Sequence, residues 1–302
     1  PGCPVCVTAV HDIDKAVAMS KLPGVIMASF GDMMRVPGSY SSLSRAKAEG
    51  ADVRVVYSPF DALKMAESNP DKKVIFFAAG FETTSPAVAA TLGRAIEARL
   101  DNFYIFSVHK TIPGAMRALL DTPALKIDGF LCPGHVSTII GAEPYRFIAN
   151  EYKRAAVVSG FEPVDILQST QMLVEQVEYD RPAVEIQYRR AVSEKGNPAA
   201  RAVLAKYFEP SDSNWRGIAV IPLSGLKLRD EFAAFDAEKA FDVKVGEPRE
   251  TKGCACGEVL QGIKTPPECR LFGKACTPED PVGACMVSYE GSCSAWYKYG
   301  RR

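Results

Sequence analysis

The chain has 302 residues, 47% of them hydrophobic, and its 36 basic and 36 acidic residues give a formal net charge of zero. This length is sufficient for two domains and a small third one with filled cores. Neutral charge gives no support to a general affinity for nucleic acid or for an anionic membrane. The longest apolar runs, at 74–79 and 218–223, are too short to span a bilayer, and the free-thiol usage predicts a cytoplasmic protein.

Short runs of β-branched and aromatic residues alternate with amphipathic stretches that begin at Ser, Thr or Pro. This alternation is typical of repeated βα units, so the predicted fold class is α/β, with two similar lobes of parallel sheet flanked by helices. The runs predicted as strands of the first sheet are 25–30, 53–57, 74–79 and 103–108, with helices over 86–100 and 113–120. Those predicted for the second sheet are 127–132, 155–158 and 217–222. The segment 165–207 is predicted to be mostly helical, with breaks at 181–182 and 196–198.

The character of the sequence changes after 246–248, where Cys and Gly become frequent. We therefore predict three parts. Residues 1–122 form a first α/β lobe that carries a C-x-x-C motif, residues 123–247 form a second α/β lobe, and residues 248–302 form a small cysteine-rich domain.

Six cysteines fall within forty residues of the C-terminal part. They are Cys254, Cys256, Cys269, Cys276, Cys285 and Cys293. Four thiolates suit a structural zinc ion or an iron–sulfur cluster, and the scarcity of tidy C-x2-4-C knuckles favours the cluster. The two remaining thiols are a candidate dithiol/disulfide pair that exchanges electrons with the cluster. Three structural disulfides are the less favoured alternative, because α/β segments precede this region and no secretory segment opens the chain.

The chain opens with a second thiol motif, Pro-Gly-Cys-Pro-Val-Cys, in which Cys3 and Cys6 precede a helical pattern over 13–19. Thiols near a helix N-terminus have a lowered pKa, because the amide dipoles favour the thiolate. Such a pair can form a reversible disulfide or offer soft ligands to Fe(II). The alternative is two buried thiols that act as small hydrophobes, which is also the role we expect for Cys132.

Three turns that follow predicted strands carry unusual polar residues, and parallel sheets bind ligands at the carboxyl ends of their strands. The residues in these turns are Gly80, Phe81, Glu82, Thr83 and Thr84 after the third strand, His109 after the fourth, and Gly134 and His135 after the fifth. Each alone is compatible with capping or turn chemistry. Together they predict a polar cleft between the lobes. A phosphate cradle is not indicated, because neither a Walker loop nor G-x-G-x-x-G occurs.

Several motifs in order carry a family resemblance: Pro-Gly-Cys-Pro-Val-Cys at the start, Gly-Phe-Glu-Thr-Thr at 80–84, Pro-Gly-His-Val-Ser at 133–137 and the C-terminal Cys-Met-Val-Ser-x-Glu-Gly. The chain resembles the HypD family of [NiFe]-hydrogenase maturation factors over essentially its whole length. The resemblance implies two α/β lobes and a [4Fe–4S] domain. It also implies a role in building the Fe(CN)2CO unit of the hydrogenase, with a HypC-type chaperone and a HypE-type cyanide donor.

The resemblance further implies roles for particular residues. Cys3 and Cys6 match the family's thiol pair, beside a transient Fe(II) that carries CN and CO, with 80–84, His109 and 134–135 lining that region. The cluster ligands assigned on this basis are Cys254, Cys269, Cys276 and Cys293. Cys256 and Cys285 are then the spare redox pair, as in ferredoxin:thioredoxin reductase. Spacing alone leaves fifteen ways to choose four ligands from six cysteines.

Other expectations remain open at this stage. The family has a further Cys-Gly-x-His-type segment upstream of its Pro-Gly-Cys-Pro-Val-Cys motif, and the resemblance implies that the cysteine of that segment holds the iron. The given sequence begins inside the second motif, so it is expected to be N-terminally truncated. An alternative function is an Fe–S-linked thiol–disulfide oxidoreductase that resembles ferredoxin:thioredoxin reductase and acts on other proteins. Another is a scaffold whose C-terminal cysteines are all structural and hold zinc.

Overall fold

The computed structural model describes residues 3–123 and 125–300. In these ranges the strands form two parallel sheets and an antiparallel hairpin. The strands of the first sheet are β1 (Val25–Ser29), β2 (Val53–Val55), β3 (Lys73–Ala78) and β4 (Phe103–Ser107). Those of the second sheet are β5 (Gly129–Pro133), β6 (Ala155–Ser159) and β7 (Val184–Ile186). The hairpin consists of β8 (Phe208–Trp215) and β9 (Ala219–Leu228).

Many helices begin with a proline in the first turn, where its missing N–H costs nothing. The helices are α1 (Pro4–Val7), α2 (Val10–Ser20), α3 (Leu43–Ala48), α4 (Pro59–Ser68), α5 (Ser85–Glu97), α6 (Ile112–Leu120), α7 (Gly134–Ile140), α8 (Arg146–Asn150), α9 (Pro163–Glu178), α10 (Pro198–Tyr207), α11 (Ala237–Ala240), α12 (Cys256–Leu260) and α13 (Ser292–Tyr299). Short 3-10 helices cover Gly31–Arg35, Glu143–Tyr145, Asp230–Phe235, Pro266–Glu268 and Ala284–Met286. Within the described ranges, no helix combines the length and the apolar character needed to cross a membrane.

The first sheet has the order β2-β1-β3-β4 and is parallel throughout. Successive side chains of a strand point to opposite faces, and here both faces are covered. Ile75 and Phe77 belong to one core and Val74 and Phe76 to the other, and all four side chains are fully buried. The continuous apolar runs of the sequence are therefore explained, and the four predicted strands of this sheet are confirmed.

The second sheet has the order β5-β6-β7 and is also parallel. The strands predicted near 127–132 and 155–158 are confirmed, whereas the prediction for 217–222 is wrong. Those residues belong to the β8–β9 hairpin, in which Ser213 pairs with Ile221. An apolar run does not reveal its pairing partner, and β8 is too polar to be recognised as a strand. The third strand of the sheet is β7, within the segment predicted to be mostly helical.

After the second sheet, the chain returns to the first lobe. Tyr207 of α10 packs on Gly93 of α5, where an added Cβ would lie 2.7 Å from the Tyr207 hydroxyl. Ser107 at the end of β4 donates a 2.7 Å hydrogen bond to the carbonyl of Leu226 in β9. Residues in the predicted second lobe thus complete the core of the first, and the domain boundaries at 122 and 247 stay a prediction.

Candidate functional site

Cys3 and Cys6 form a close thiol pair around α1. Cys3 lies just before the helix, Pro4 occupies its first position, and the Sγ atoms of the two cysteines are 3.0 Å apart. The Cys6 N–H donates a 2.9 Å hydrogen bond to the Cys3 carbonyl, which closes the turn. Cys3 is 2% exposed and Cys6 is fully buried. The pair is therefore shielded from water and from bulky reactants.

The two thiols differ in acidity. The pKa of Cys3 is lowered, mainly because the Cys6 thiol donates a hydrogen bond to its sulfur, and the Cys6 N–H and Ser288 add to this effect. The pKa of Cys6 is raised, because its proton is held by Cys3 and its sulfur is buried. Cys3 is therefore the member of the pair that loses its proton more readily, and the thiolate is the form of cysteine that acts as nucleophile and metal ligand.

All six C-terminal cysteines line one cavity. Cys256, at the start of α12, and Cys285, in the Ala284–Met286 turn, are joined by a disulfide with a Cα–Cα distance of 6.2 Å. The four remaining thiols are free: Cys254, Cys269, Cys276 and Cys293. Leu271, Phe272 and Met286 complete the cavity wall, so its surroundings are largely apolar.

Tight turns bring these cysteines together. The Phe272 N–H donates a 3.0 Å hydrogen bond to the Cys269 carbonyl, and the Cys276 N–H donates a 2.9 Å hydrogen bond to the Leu271 carbonyl. These bonds fold the chain back on itself between the free thiols Cys269 and Cys276. Gly283 lies directly against Cys254, whose Sγ would be 2.7 Å from an added Cβ. A side chain at this glycine would therefore enter the cavity.

The four free thiols influence one another electrostatically. Burial, followed by the charges of Cys276, Cys254 and Cys269, raises the pKa of Cys293 to about 12. The pKa of Cys254 is raised by burial and also by Cys269 and Cys276. Four thiolates this close need a cationic partner to be stable. This donor set fits the four-thiolate ligation of a [4Fe–4S] cluster. Within 3–123 and 125–300, no three His, Cys, Asp or Glu side chains are arranged to hold a single metal ion.

The thiol pair lies against the C-terminal cysteines. Helix α1 packs on the Ala284–Met286 turn, which contains Cys285. Ser288 contributes to the lowered pKa of Cys3, and the charge of Cys293 contributes to the raised pKa of Cys6. Residues separated by more than 280 positions in the chain are thus part of one continuous sulfur-rich region.

Glu82 and His109 are buried polar residues at the ends of two neighbouring strands. The Glu82 Oε1 accepts a 3.0 Å hydrogen bond from the Ile112 N–H, and burial raises its pKa to about 7. Burial, with the nearby Lys110, lowers the pKa of His109 to about 3, so its ring is neutral. Ser107 Oγ lies 3.1 Å from His109 Nδ1. Glu82 Oε2 and His109 Nε2 have no hydrogen-bond partner in the described part of the chain.

The turn at 80–84 is compact. A Cβ at Gly80 would collide with the Thr84 hydroxyl and would lie 3.5 Å from His109 Cδ2. Thr84 Oγ1 donates to the Phe81 carbonyl at 3.1 Å, and the Phe81 ring stacks on Trp215 with 6.2 Å between centroids. This turn therefore connects the first sheet with the β8–β9 hairpin.

The remaining predicted cleft residues have a different environment. Gly134 begins α7 and is buried against Ser159, whereas His135 is exposed and stacks on Phe161 with 4.2 Å between centroids. Thr83 is exposed as well. The structure thus brings Glu82 and His109 into the protein interior and leaves Thr83 and His135 at the surface.

Two buried cations were not found by sequence reasoning. Lys110 is 1% exposed, and its Nζ donates a 2.8 Å hydrogen bond to Ser213 and lies 3.9 Å from Asp12 Oδ2. Arg216 is 7% exposed and lies at the end of β8. The burial of both side chains depends on the β8–β9 hairpin. The sequence pattern did not reveal this hairpin, so no signal in the sequence could have identified the two residues as buried cations.

The fold is α/β, and the candidate site consists of the Cys3/Cys6 pair and the six C-terminal cysteines. The protein is therefore of a class whose chemistry depends on cysteine thiols. A model of the HypD family, described as "Hydrogenase formation hypA family", matches residues 1–300. The chain belongs to the HypD family, and it is a hydrogenase maturation factor.

Relatives from several bacteria are named hydrogenase maturation factor HypD. The chain is 48% identical over 309 residues to hydrogenase maturation factor HypD of Rhizobium leguminosarum bv. viciae, with 100% of this chain and 80% of the relative covered. It is 47% identical to the HypD of Azotobacter vinelandii, with 100% and 82% covered. It is 49% identical to the HypD of Escherichia coli K12, with 99% and 80% covered. The family predicted from the sequence motifs is confirmed.

Proposed function

We propose that this maturation factor is a scaffold and redox partner for assembly of the Fe(CN)2CO unit, and that it works with a HypC-type chaperone and a HypE-type cyanide donor. The observation that carries the proposal is the position of the Cys256–Cys285 disulfide. It lies in the wall of a cavity lined by four free thiols and next to the helix of Cys3 and Cys6. Four thiols that can bind a metal cluster, the two-electron couple Cys256/Cys285 and the proposed reactive thiolate of Cys3 thus lie in one region.

The four free thiols are the proposed ligands of a resident [4Fe–4S] cluster: Cys254, Cys269, Cys276 and Cys293. When bound, such a cluster would supply single electrons to a neighbouring acceptor. The chain's own contribution is to gather four thiolates in an apolar cavity, where Leu271, Phe272 and Met286 exclude water.

The Cys256/Cys285 pair is the proposed two-electron carrier, which holds the electrons as a dithiol and releases them as it forms the disulfide. Reduction of Cys256–Cys285 consumes two electrons and two protons and yields two thiols. One of these, as a thiolate, attacks an oxidised Cys3–Cys6 disulfide to form a mixed disulfide, and the second thiol resolves it. The products are a Cys256–Cys285 disulfide and a reduced Cys3/Cys6 pair, so atoms and electrons balance. The packing of α1 on the Ala284–Met286 turn supports this exchange, because it keeps the two pairs close together.

The Cys3 thiolate is proposed to lie beside the iron cargo when the Cys3/Cys6 pair is reduced. Fe(II) that carries CN and CO is a soft acceptor and binds thiolate sulfur well. The lowered pKa of Cys3 favours its thiolate, and its burial keeps the cargo away from water. The HypC-type partner is proposed to share the ligation of this iron while the HypE-type partner delivers cyanide.

The same burial disfavours the alternative of a general thiol–disulfide oxidoreductase. A protein disulfide must approach the attacking sulfur directly. Cys3 is only 2% exposed and Cys6 is fully buried in the isolated chain, so this approach is hindered. An insulin-reduction assay separates the two functions: a maturation factor gives a rate no higher than that of free dithiothreitol, whereas a general oxidoreductase gives a faster one.

The direct test is replacement of Cys3 or Cys6 by Ala in a strain that lacks its own maturation factor of this family. We expect hydrogenase activity to fall at least about 100-fold, while the purified variants keep the visible absorption of the wild-type protein. Cys132→Ala is the matched control, because Cys132 is equally buried and lies in the core of the second lobe. Normal hydrogenase activity with Cys3→Ala would contradict the proposal.

A further inference from the structure

We propose that the outer surface of the cysteine-rich region is the docking site of an acidic one-electron carrier protein, which supplies the electrons that reduce the Cys256–Cys285 disulfide. The inference rests on the proposed function, because it names the class of reductant that this redox chemistry needs. The docking site consists of the turn 270–275 together with Tyr289, Trp296, Lys298 and Tyr299, and it is called the carrier face below.

The turn 270–275 is a thin cover over the cysteine cavity. It joins the free thiols Cys269 and Cys276, and two of its side chains, Leu271 and Phe272, line the cavity while they remain partly exposed to solvent. The Gly273 N–H donates a 3.1 Å hydrogen bond to the Cys276 carbonyl, so the turn is closed on itself. A carrier that lies on this turn is therefore separated from the cavity by a single layer of side chains.

Helix α13 packs beside this turn and exposes aromatic rings next to it. The Tyr297 ring lies edge-on to Phe272 with 6.0 Å between centroids, and a Cβ added to Gly273 would lie 3.8 Å from Tyr297 Cε2. On the same helix, Trp296 is 42% exposed and Tyr299 is 74% exposed. Aromatic residues are enriched at interfaces between proteins, and the complexes of electron carriers need only a small contact area. The exposed rings therefore suit a transient electron-transfer contact.

The exposed charges on the turn and on α13 are positive. They belong to Arg270, Lys274 and Lys298. The segments 270–275 and 292–299 contain no Asp or Glu, and the nearest acidic residues in the sequence are Glu268 and Glu290. Glu268 already accepts hydrogen bonds from the N–H and the hydroxyl of Thr265. The turn and the helix thus carry three cations and no acidic side chain.

Positive charge and aromatic surface coincide at Lys298. Its Nζ lies 5.0 Å from the centre of the Tyr289 ring and 5.3 Å from that of Tyr299, and Tyr289 is itself 81% exposed. The chain as a whole has a formal net charge of zero, so the excess of positive charge is local. Such a local excess attracts and orients an acidic partner.

The electron balance requires a reductant from outside the chain. The Cys256–Cys285 disulfide lines the cavity that the turn 270–275 covers, so the electron acceptor lies behind the carrier face. Its reduction breaks the S–S bond, consumes two electrons and two protons, and yields two thiols. Two molecules of reduced carrier supply the electrons, each being oxidised by one electron, and the protons come from solvent.

The probe is an acidic flavodoxin, whose reduced flavin gives up one electron at a time. Isothermal titration calorimetry measures the affinity of oxidised flavodoxin for the anaerobically purified protein at low and at high salt concentration. We expect binding that salt weakens, because the attraction is between exposed charges. Reduced flavodoxin is then added, thiols are trapped, and the loss of the Cys256–Cys285 disulfide is followed by mass spectrometry.

Two variants separate charge from aromatic contact. Lys274→Glu/Lys298→Glu should weaken binding at least about tenfold at low salt and slow the loss of the disulfide, because it reverses the charge of the carrier face. The matched control is Lys64→Glu/Lys195→Glu, which changes the net charge equally at exposed positions outside the carrier face and should bind like the wild type. Tyr299→Ser should weaken binding about threefold at either salt concentration, since it removes contact area without a change in charge.

The outcomes are distinguishable. Absence of flavodoxin binding to the wild-type protein would overturn the proposal, and so would unchanged affinity in a folded Lys274→Glu/Lys298→Glu variant, as judged by near-ultraviolet circular dichroism. An equal loss of affinity in the control would overturn it too, because net charge alone would then explain the binding. If the double variant does not fold, Tyr299→Ser decides, and an unchanged affinity overturns the carrier face. None of these results alters the iron and sulfide contents or the maturation activity of Cys3→Ala, which test the proposed function separately.

Discussion

Cys256 and Cys285 are 29 residues apart in the sequence and are joined by a disulfide in the wall of the cavity that the other four C-terminal cysteines line. The six cysteines are thereby divided into one bonded pair and four free thiols. This division distinguishes groups that spacing alone could not separate. The redox and ligand roles assigned to the two groups remain predictions, and each can be tested by substitution.

The disulfide can be removed without removal of a proposed ligand. In a Cys256→Ser/Cys285→Ser variant we expect iron and sulfide contents equal to those of the wild type, because all four free thiols are retained. Hydrogenase maturation in cells should fall at least about tenfold, since the two-electron couple is lost. Cys269→Ser is the contrasting variant and should lose most of its iron. A double variant without iron would show that the disulfide cysteines are themselves ligands.

The thiol pair should react in a defined order. Because hydrogen bonds from Cys6 lower the pKa of Cys3 and the pKa of Cys6 is raised, Cys3 should form the thiolate first. In the reduced folded protein at pH 7, iodoacetamide should therefore modify Cys3 several-fold faster than Cys6, as measured by peptide mass spectrometry. The preference should disappear in urea. Faster modification of Cys6 would reverse the proposed roles of the two sulfurs.

Glu82 should make the stability of the protein depend on pH. Burial raises its pKa from 4.5 to about 7, so the folded chain keeps a proton that the unfolded chain releases between these two pH values. The free energy of unfolding should therefore fall as pH rises from about 4.5 to about 7, by up to roughly 3 kcal/mol, and then level off.

Glu82→Gln tests this dependence, because the amide oxygen can still accept from Ile112. Anaerobic urea unfolding at pH 5 and pH 8 should show a smaller pH effect in this variant than in the wild type. Glu67→Gln, at an exposed position on α4, should leave the effect unchanged. An equal pH effect in wild type and Glu82→Gln would assign it to another group.

The close packing of the hairpin tip on α12 can be tested at Gly257. A Cβ there would overlap the Gly217 carbonyl, and backbone atoms cannot move aside cheaply. Gly257→Ala should therefore lower the free energy of unfolding by about 1–3 kcal/mol, measured by chemical denaturation. Gly246→Ala is the matched control, since its Cβ would meet no atom within 4 Å. Equal stability of the two variants would contradict the described packing.

The first sheet could be predicted from the sequence because its strands are covered on both faces, and buried strands such as β1 and β3 form continuous apolar runs. The hairpin could not be predicted in this way. Its β8 strand is mostly polar between Phe208 and Trp215 and contains Pro210, and the apolar run of β9 resembles a strand of any sheet. Arg216 was missed for the same reason. The cysteine spacing predicted a metal site. It could not show which cysteines form the disulfide, because that depends on contacts in the folded chain.

The proposed cluster is tested most directly by the iron, zinc and acid-labile sulfide content of anaerobically purified protein, with visible spectra before and after dithionite. We expect about four irons and four sulfides per chain, with a broad absorption that dithionite bleaches. One zinc ion, no sulfide and no colour would contradict it, because the four free thiols would then form a structural zinc site.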